Sequence, residues 1–317
     1  MSLQAKGQMF YDAVIVGAGP AGVSCAVWLS RLGFKPVLVD TADGVGGLCR
    51  INPFMDDWNA SLPGVNGLQV AQNLAESLVL SNVTLHLGWA VQAAQAGTAG
   101  FEILSAKGET IKGRFLVLAT GVKARGLNSA LPEHEFAHAL DGAKDVPRIL
   151  VGPGEHVAGF NFTNKRVAVL GGGDNAFENA LFALEKGAQS VRVFARTVRA
   201  QRQFVQKLPA DCLSPGAYEV DTRRVAVNGS AFDVLLVMYG WTPNVDFATS
   251  LGLERTARGF ISIDFETAQT SFDGVYAVGE VASRQHPCVV TALADGVTAA
   301  KAIQARLEAE MEASDTA

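Results

Sequence analysis

Gly17-x-Gly19-x-x-Gly22 constrains this chain more than any other stretch, because of what stands on either side of it. Tyr11–Val16 is an apolar run, the residues after Gly19 have helical spacing as far as Gly33, and Pro36–Val39 is a second short apolar run ending in Asp40. A strand, a glycine turn, a helix and a strand that closes on an acid form the dinucleotide-binding fingerprint. Gly17 permits the tight turn, Gly19 lets a pyrophosphate approach the backbone, and Gly22 lets helix and strand pack closely. The helix N-terminus supplies N–H donors for the phosphates, and Asp40, 18 residues beyond Gly22, can accept a hydrogen bond from a ribose hydroxyl.

The 317 residues are enough for two such units, and 49% hydrophobic residues can fill two cores. A net charge of −5 gives no surface suited to nucleic acid or to an anionic membrane. No apolar run approaches the ~20 residues of a membrane span, and the opening residues lack the apolar centre of a signal peptide. The four cysteines, Cys25, Cys49, Cys212 and Cys288, are widely separated. They make no disulfide framework, which points to the cytoplasm.

The middle of the chain repeats the opening. Lys165–Leu170 reads as a strand, Gly171-Gly172-Gly173-Asp174-Asn175-Ala176 as a second glycine turn, Phe177–Lys186 as a helix and Ser190–Phe194 as the next strand. Gly17 and Gly171 are 154 residues apart. Two nucleotide units in one chain imply two dinucleotides and electron transfer between them. The second strands end differently: the first in Asp40, which suits a free ribose 2′-hydroxyl, the second in Arg196, with Arg199 and Arg202 following. Arginine there accommodates a 2′-phosphate, so the first site reads as one for FAD and the second as one for NADPH, with NADH the alternative. Elsewhere the pattern predicts a helix over Leu68–Leu80 and a meander of short strands over Val83–Leu87, Trp89–Gln95, Phe101–Ser105 and Thr110–Ile111. A buried strand is expected over Arg114–Ala119, a loop over Leu213–Glu219, and strands over Val220–Val227, Phe232–Met238, Phe260–Asp264 and Val275–Val278. Thr291–Arg306 reads as a closing helix and Leu307–Ala317 as an acidic tail that frays.

Six motifs come in one order: GAGPAG at 17–22, GG at 46–47, LATG at 118–121, GGGDNA at 171–176, GWTPN at 240–244 and VYAVGE at 275–280. Their order and spacing resemble the low-molecular-weight thioredoxin reductase family. The resemblance implies an α/β fold of two Rossmann-like, three-layer ββα dinucleotide-binding domains. The NAD(P)H domain, residues 121–244, would be inserted in a discontinuous FAD domain, residues 1–120 and 245–317. It further implies a homodimer, FAD contacts at Gly47, Gly121, Gly279 and Glu280, and a nicotinamide-side acid at Glu178. Gly171, Gly173 and Ala176 would form the turn for NADPH. Glu280 stands where the family has a ribityl-binding Asp, and Thr197 stands where a second basic residue commonly follows Arg196.

One departure governs the chemistry. The family's redox pair is C-x-x-C before Asp-Gly, and aligning on Asp141-Gly142 puts Ala137 and Leu140 at the two cysteine positions; no C-x-x-C occurs anywhere in the chain. Dithiol–disulfide exchange needs an attacking and a resolving sulfur, so that route is closed. The same scaffold without the pair occurs in ferredoxin–NADP reductases of this type, although their C-terminal aromatic over the flavin has no counterpart in Lys301–Ala317. The reading is therefore an FAD-dependent NADPH oxidoreductase with a small molecule or a redox protein as acceptor. Two alternatives stay open: a single-cysteine reductase of small disulfides or peroxides using Cys49 or Cys288, and a non-enzymatic flavin sensor with a degraded NADPH site. His134-Glu135-Phe136-Ala137-His138 matches the H-E-x-x-H zinc pattern, but it sits in a linker after Pro132 and no metal is expected. A branched side chain at the pyrophosphate turn should expel the flavin. Gly19→Val is expected to purify colourless, as read by the visible flavin absorbance per protein.

Overall fold

The structure is a computed structural model that describes residues 9–52, 54–127, 140–141, 144–282, 284 and 286–315. The chain divides into two compact units, Met1–Val122 with Pro243–Ala317, and Lys123–Thr242. In chain order the first unit opens with β1 (Phe10–Val16), α1 (Pro20–Arg31), β2 (Pro36–Val39), α2 (Gly67–Leu80) and β3 (Thr84–His86). It continues with β4 (Val91–Ala96), β5 (Phe101–Ser105) and β6 (Thr110–Leu118), and β7 (Val122–Ala124) is the first crossing. The second unit holds β8 (Leu140–Asp141), β9 (Lys144–Pro147), β10 (Ile149–Val151), α3 (Glu155–Ala158), β11 (Arg166–Leu170), α4 (Asp174–Glu185) and β12 (Ser190–Ala195). After these come α5 (Arg202–Lys207), β13 (Leu213–Pro215), β14 (Val220–Asp221), β15 (Ala226–Val227), β16 (Ser230–Ala231) and β17 (Val234–Val237). The return crossing β18 (Trp241–Pro243) pairs with β7, and β19 (Val275–Ala277) and α6 (Val289–Asp315) complete the first unit.

The first unit is built on a sheet of order β3-β2-β1-β6-β5-β4, with β19 added against β6. β1, β2, β3, β6 and β19 run parallel, whereas β4 and β5 are antiparallel. β2, β19 and the later residues of β1 and β6 are buried on both faces, which is why they read as unbroken apolar runs, whereas the edge strand β3 is largely exposed. Ala13, Ile15, Leu38, Val117 and Tyr276 join the core under α1, α2 and α6. Val14, Val16, Val37, Leu116 and Ala277 join a second core on the opposite face with Ile103, Ala248 and Ile261. The second unit repeats the plan with an all-parallel sheet of order β10-β17-β11-β12-β13. Val167, Val169 and Leu236 pack with α4, and Ala168, Leu170 and Leu235 pack with the small antiparallel sheet β14-β15-β16. Both units are α/β with a central parallel sheet, and in the second a helix layer and a small antiparallel sheet cover opposite faces.

Several local expectations are corrected. Val83–Leu87 is not part of the meander; its core, β3, extends the parallel sheet beside β2. Thr110–Ile111 and Arg114–Ala119 are one strand, β6. Its start pairs antiparallel with β5 and its end pairs parallel with β19, so a single strand joins the two kinds of sheet. Leu213–Glu219 is not all loop, because Leu213–Pro215 adds an edge strand to β12. Val220–Val227 turns back on itself as β14 and β15, with Val225 at positive φ in the bend. Phe260–Asp264 makes only isolated bridges through Ile261.

The tail expectation fails in the other direction. α6 runs to Asp315, because Leu307 is 6% exposed in the α1–α6 core and Arg114 pairs with Glu310 one turn further on. Amphipathic packing extends the helix through a stretch whose composition alone looks solvated. Leu307→Ala should therefore cost about 2 kcal/mol of stability, read as a shift of the urea midpoint at unchanged slope; a neutral result would mean the helix end contributes nothing.

Candidate cofactor and nucleotide sites

In the first unit the chain order reverses at β1, whose neighbours β2 and β6 carry it to opposite sides. Such a switch point opens a crevice at the strand ends, and the Gly17–Gly22 turn lies there. A Cβ on Gly17 would overlap the carbonyl of Ala119, and one on Gly22 would overlap the carbonyl of Gly17. These two glycines therefore serve backbone packing. Gly19 differs: its Cβ would meet only the Gly47 Cα, at 3.9 Å. It lines open space, as a pyrophosphate-approach position must. Gly121 likewise has nothing within 4 Å of its Cβ position, and Thr120 is held beside it by Asn244, whose Nδ2 donates to the Thr120 carbonyl at 3.0 Å.

Asp40 is already engaged. One carboxylate oxygen accepts the Ala18 N–H at 2.6 Å and the other the Ala42 N–H at 2.7 Å. The acid braces the glycine turn against β2, and each oxygen keeps a second lone pair for a ribose hydroxyl. Glu280 lies in the short 3-10 turn Gly279–Val281 after β19. Burial holds its carboxyl above the usual carboxylate range, and no ion pair to it is found among the described residues. An unpaired, desolvated carboxyl at this point is the kind of group a polar ligand satisfies, and with the open face of Gly19 it fits FAD.

The anchor behind Glu280 was not visible in the sequence. Asp295, 5% exposed on α6, accepts the Gly279 N–H at 3.1 Å and the Arg284 Nε–H at 2.5 Å. The only signal for it was an acid, Asp295, inside the apolar run Val289–Ala300.

The cysteines separate cleanly. Cys25 is buried in α1, where its thiol is pushed up to about 12. Cys49 is 8% exposed in the 3-10 turn Gly47–Ile51, and burial, with the carboxylates of Asp56 and Glu280, pushes its thiol up to about 11. A thiol so placed stays protonated at neutral pH, which opposes its use as a nucleophile. Cys212 is half-buried with its thiol also raised. Cys288 is exposed and caps α6: its N–H donates to Thr291 Oγ1 at 3.1 Å while the Thr291 N–H reaches its sulfur at 3.5 Å. All four are free.

In the second unit β11 sits at the matching switch point between β12 and β17. Gly171 backs onto the Met238 carbonyl and Gly172 onto that of Thr197, while Gly173 faces open space. Ala176 is fully buried in α4. The Gly172 carbonyl accepts the N–H groups of Arg199 (2.6 Å) and Ala200 (2.9 Å), which docks the arginine segment on the turn. A cavity of about 730 Å³ opens here, lined by Gly171, Gly172, Arg196, Arg199, Tyr239 and a third arginine, Arg125. Three guanidiniums and a glycine turn are a donor set for a phosphorylated dinucleotide. Glu178, the expected nicotinamide-side acid, lies on α4, and burial with the neighbouring Asp174 raises its carboxyl above the usual range. Arg202 begins α5 and does not line this cavity. Arg125 and Tyr239 escaped the sequence reading because neither belongs to the strand–turn–helix motif.

The H-E-x-x-H segment and Ala137 lie outside the described residues, as do the side-chain surroundings of Leu140. Among the described residues no group of three or more His, Cys, Asp or Glu side chains could hold a metal ion, and no helix is long and apolar enough to cross a membrane.

The profile of the pyridine nucleotide-disulphide oxidoreductase family matches residues 11–213 and 218–296. This chain belongs to that family. It is an FAD-dependent NAD(P)H oxidoreductase on the scaffold whose members use FAD and NADPH. It is 31% identical over 301 residues to a ferredoxin–NADP reductase of Limosilactobacillus fermentum, covering 85% of each chain. It is 28% identical to a glucosaminate ammonia-lyase of Pseudomonas fluorescens over 95% of this chain and 97% of that one. A crystal structure of Lactococcus lactis thioredoxin reductase superposes with a TM-score of 0.76 at 24% identity, over 93% of this chain and 98% of that one.

Burial and a raised thiol should slow Cys49 while leaving Cys288 accessible. Iodoacetamide at pH 7.5 is expected to label Cys288 first and Cys49 only after denaturation, as followed by peptide mass spectrometry over time.

Proposed function

We propose that this chain carries electrons from NADPH through FAD to an acceptor that is not a disulfide of its own, with a small redox protein of the ferredoxin type as the favoured acceptor. The observation that carries this reading is the pairing of a three-arginine cavity on the second glycine turn with a chain that lacks C-x-x-C. The division of labour follows the two units. Residues 1–120 and 245–317 serve as the FAD domain and residues 121–244 as the NADPH domain. Gly17, Gly19, Gly22, Gly47, Gly121 and Gly279 shape the FAD cleft, with Asp40 toward the ribose and Glu280 toward the ribityl chain. Gly171, Gly173 and Ala176 form the turn for the NADPH pyrophosphate, Arg196 and Arg199 take the 2′-phosphate, and Glu178 orients the nicotinamide side.

FAD held there would supply hydride acceptance and one- or two-electron release. The protein's own task is then to bind, align and exclude water, and no nucleophile is required. The raised Cys49 thiol weighs against the single-cysteine alternative. The arginine cavity weighs against a sensor with a degraded nucleotide site. The ferredoxin-type acceptor rests on the relative named for that activity. The same reading places the protein in the cytoplasm as a homodimer, from its unpaired cysteines and the family resemblance.

Anaerobic titration tests it. NADPH should bleach the visible flavin band, the Cys49→Ser variant should bleach equally, and reoxidation by ferredoxin should outpace reoxidation by oxidised thioredoxin. Failure of both NADPH and NADH to bleach the flavin would sink the enzyme reading. Turnover with thioredoxin alone would remove the acceptor assignment.

A further inference from the structure

The cavity of the second unit has two cationic walls of different origin. One is the segment after β12, whose Arg199 and Ala200 amides dock on the Gly172 carbonyl and which carries Arg196 and Arg199. The other is Arg125, which follows β7 and lies far from the motif in sequence. Its N–H donates to the Gly240 carbonyl at 2.8 Å and its Nη2 to the Trp241 carbonyl at 3.1 Å. Gly240 is two residues beyond Met238, the residue against which Gly171 closes. The arginines therefore flank the glycine turn: Arg196 and Arg199 from the β12 side, Arg125 from the β17 side.

In a doubly wound sheet the pyrophosphate lies over the turn at the switch point, and the residues ending the second strand meet the adenosine ribose. A cation on the far side of the turn is out of place for the 2′-phosphate and well placed for the pyrophosphate. The Trp241 carbonyl takes one of the five guanidinium N–H groups of Arg125 and fixes the direction of the fork, so the others remain for phosphate oxygens. Tyr239 stands beside it, with its hydroxyl 3.3 Å from that of Tyr218.

We infer that Arg125 is a pyrophosphate-binding residue of the nicotinamide-dinucleotide site, serving NADPH and NADH alike, while discrimination between them is left to Arg196 and Arg199. The inference rests on the nucleotide reading of the cavity made above. It assigns to a residue outside the fingerprint the charge that holds the part common to both coenzymes.

Calorimetric binding on the FAD-loaded protein separates the roles, with three probes: NADP⁺, NAD⁺ and 2′-AMP, which carries the 2′-phosphate without a pyrophosphate. Arg125→Met should weaken NADP⁺ and NAD⁺ by the same factor, on the order of tenfold or more for a lost charge-assisted contact, and leave 2′-AMP unchanged. Arg196→Ala should weaken NADP⁺ and 2′-AMP and spare NAD⁺. Arg125→Lys, which keeps the charge and loses the fork, should recover part of the affinity and controls for a purely structural effect of the Trp241 contact. Wild-type affinity of Arg125→Met for all three probes overturns the inference. So does a loss confined to NADP⁺ and 2′-AMP, which would make Arg125 a 2′-phosphate ligand. Wild-type protein that binds none of the probes overturns the nucleotide reading itself, and the Arg125 assignment with it.

Discussion

Close approach of backbone to backbone at the glycine turns is the constraint on which the rest of the molecule depends. Gly17 meets Ala119, Gly22 meets Gly17, and on α6 Gly296 meets the Ala21 carbonyl and the Cys25 N–H, each at a distance that leaves no room for a Cβ. These contacts pack α1 closely against the sheet and against α6, with β1 and β6 paired side by side up to the switch point. The second unit uses the same device with different partners, Gly171 on Met238 and Gly172 on Thr197. Glycines that pack are thereby distinguished from glycines that make room. Gly19 and Gly173 have open space where a Cβ would stand, and a ligand can approach the backbone there.

With the turns in place, the chemistry follows from what surrounds each crevice. The first holds a desolvated carboxyl, Glu280, steadied through Gly279 by buried Asp295, which pairs with the half-buried Arg284. Removing Arg284 would leave the buried Asp295 carboxylate without its cation, while the Asp295 contact to the Gly279 N–H pins the turn. The second crevice is ringed by arginine. In the first, Cys49 is buried near the carboxylates of Asp56 and Glu280, which hold its thiol up. Open glycine faces, a desolvated carboxyl and clustered arginines are groups suited to holding dinucleotides, with electron transfer left to the cofactors, as the proposed function requires.

The parallel strands were legible because burial on both faces makes them continuous apolar runs, as in Ala13–Val16 and Val234–Val237. The glycine turns were legible because only glycine tolerates those contacts. What failed were elements defined by partners distant in sequence. β3 looks like a meander strand until it is paired with β2, and β13 looks like loop until it is added to β12. The helical end of α6 looks like a frayed tail until Leu307 is packed against the core. The same holds for the sites: Gly19, Asp40, Arg196 and Arg199 sit inside a local motif, whereas Arg125 and Asp295 become neighbours of the sites only through folding.

The sequence by itself determined the family, the two nucleotide folds and the absence of a redox dithiol, because each is a property of local spacing or of residue identity. Only the tertiary structure decided which glycines face open space and which face backbone, and that Cys49 is buried. It also decided that a third arginine stands across the turn from the first two. Those are matters of burial and of approach between segments far apart in the chain, and residue order does not encode a distance until the chain is folded.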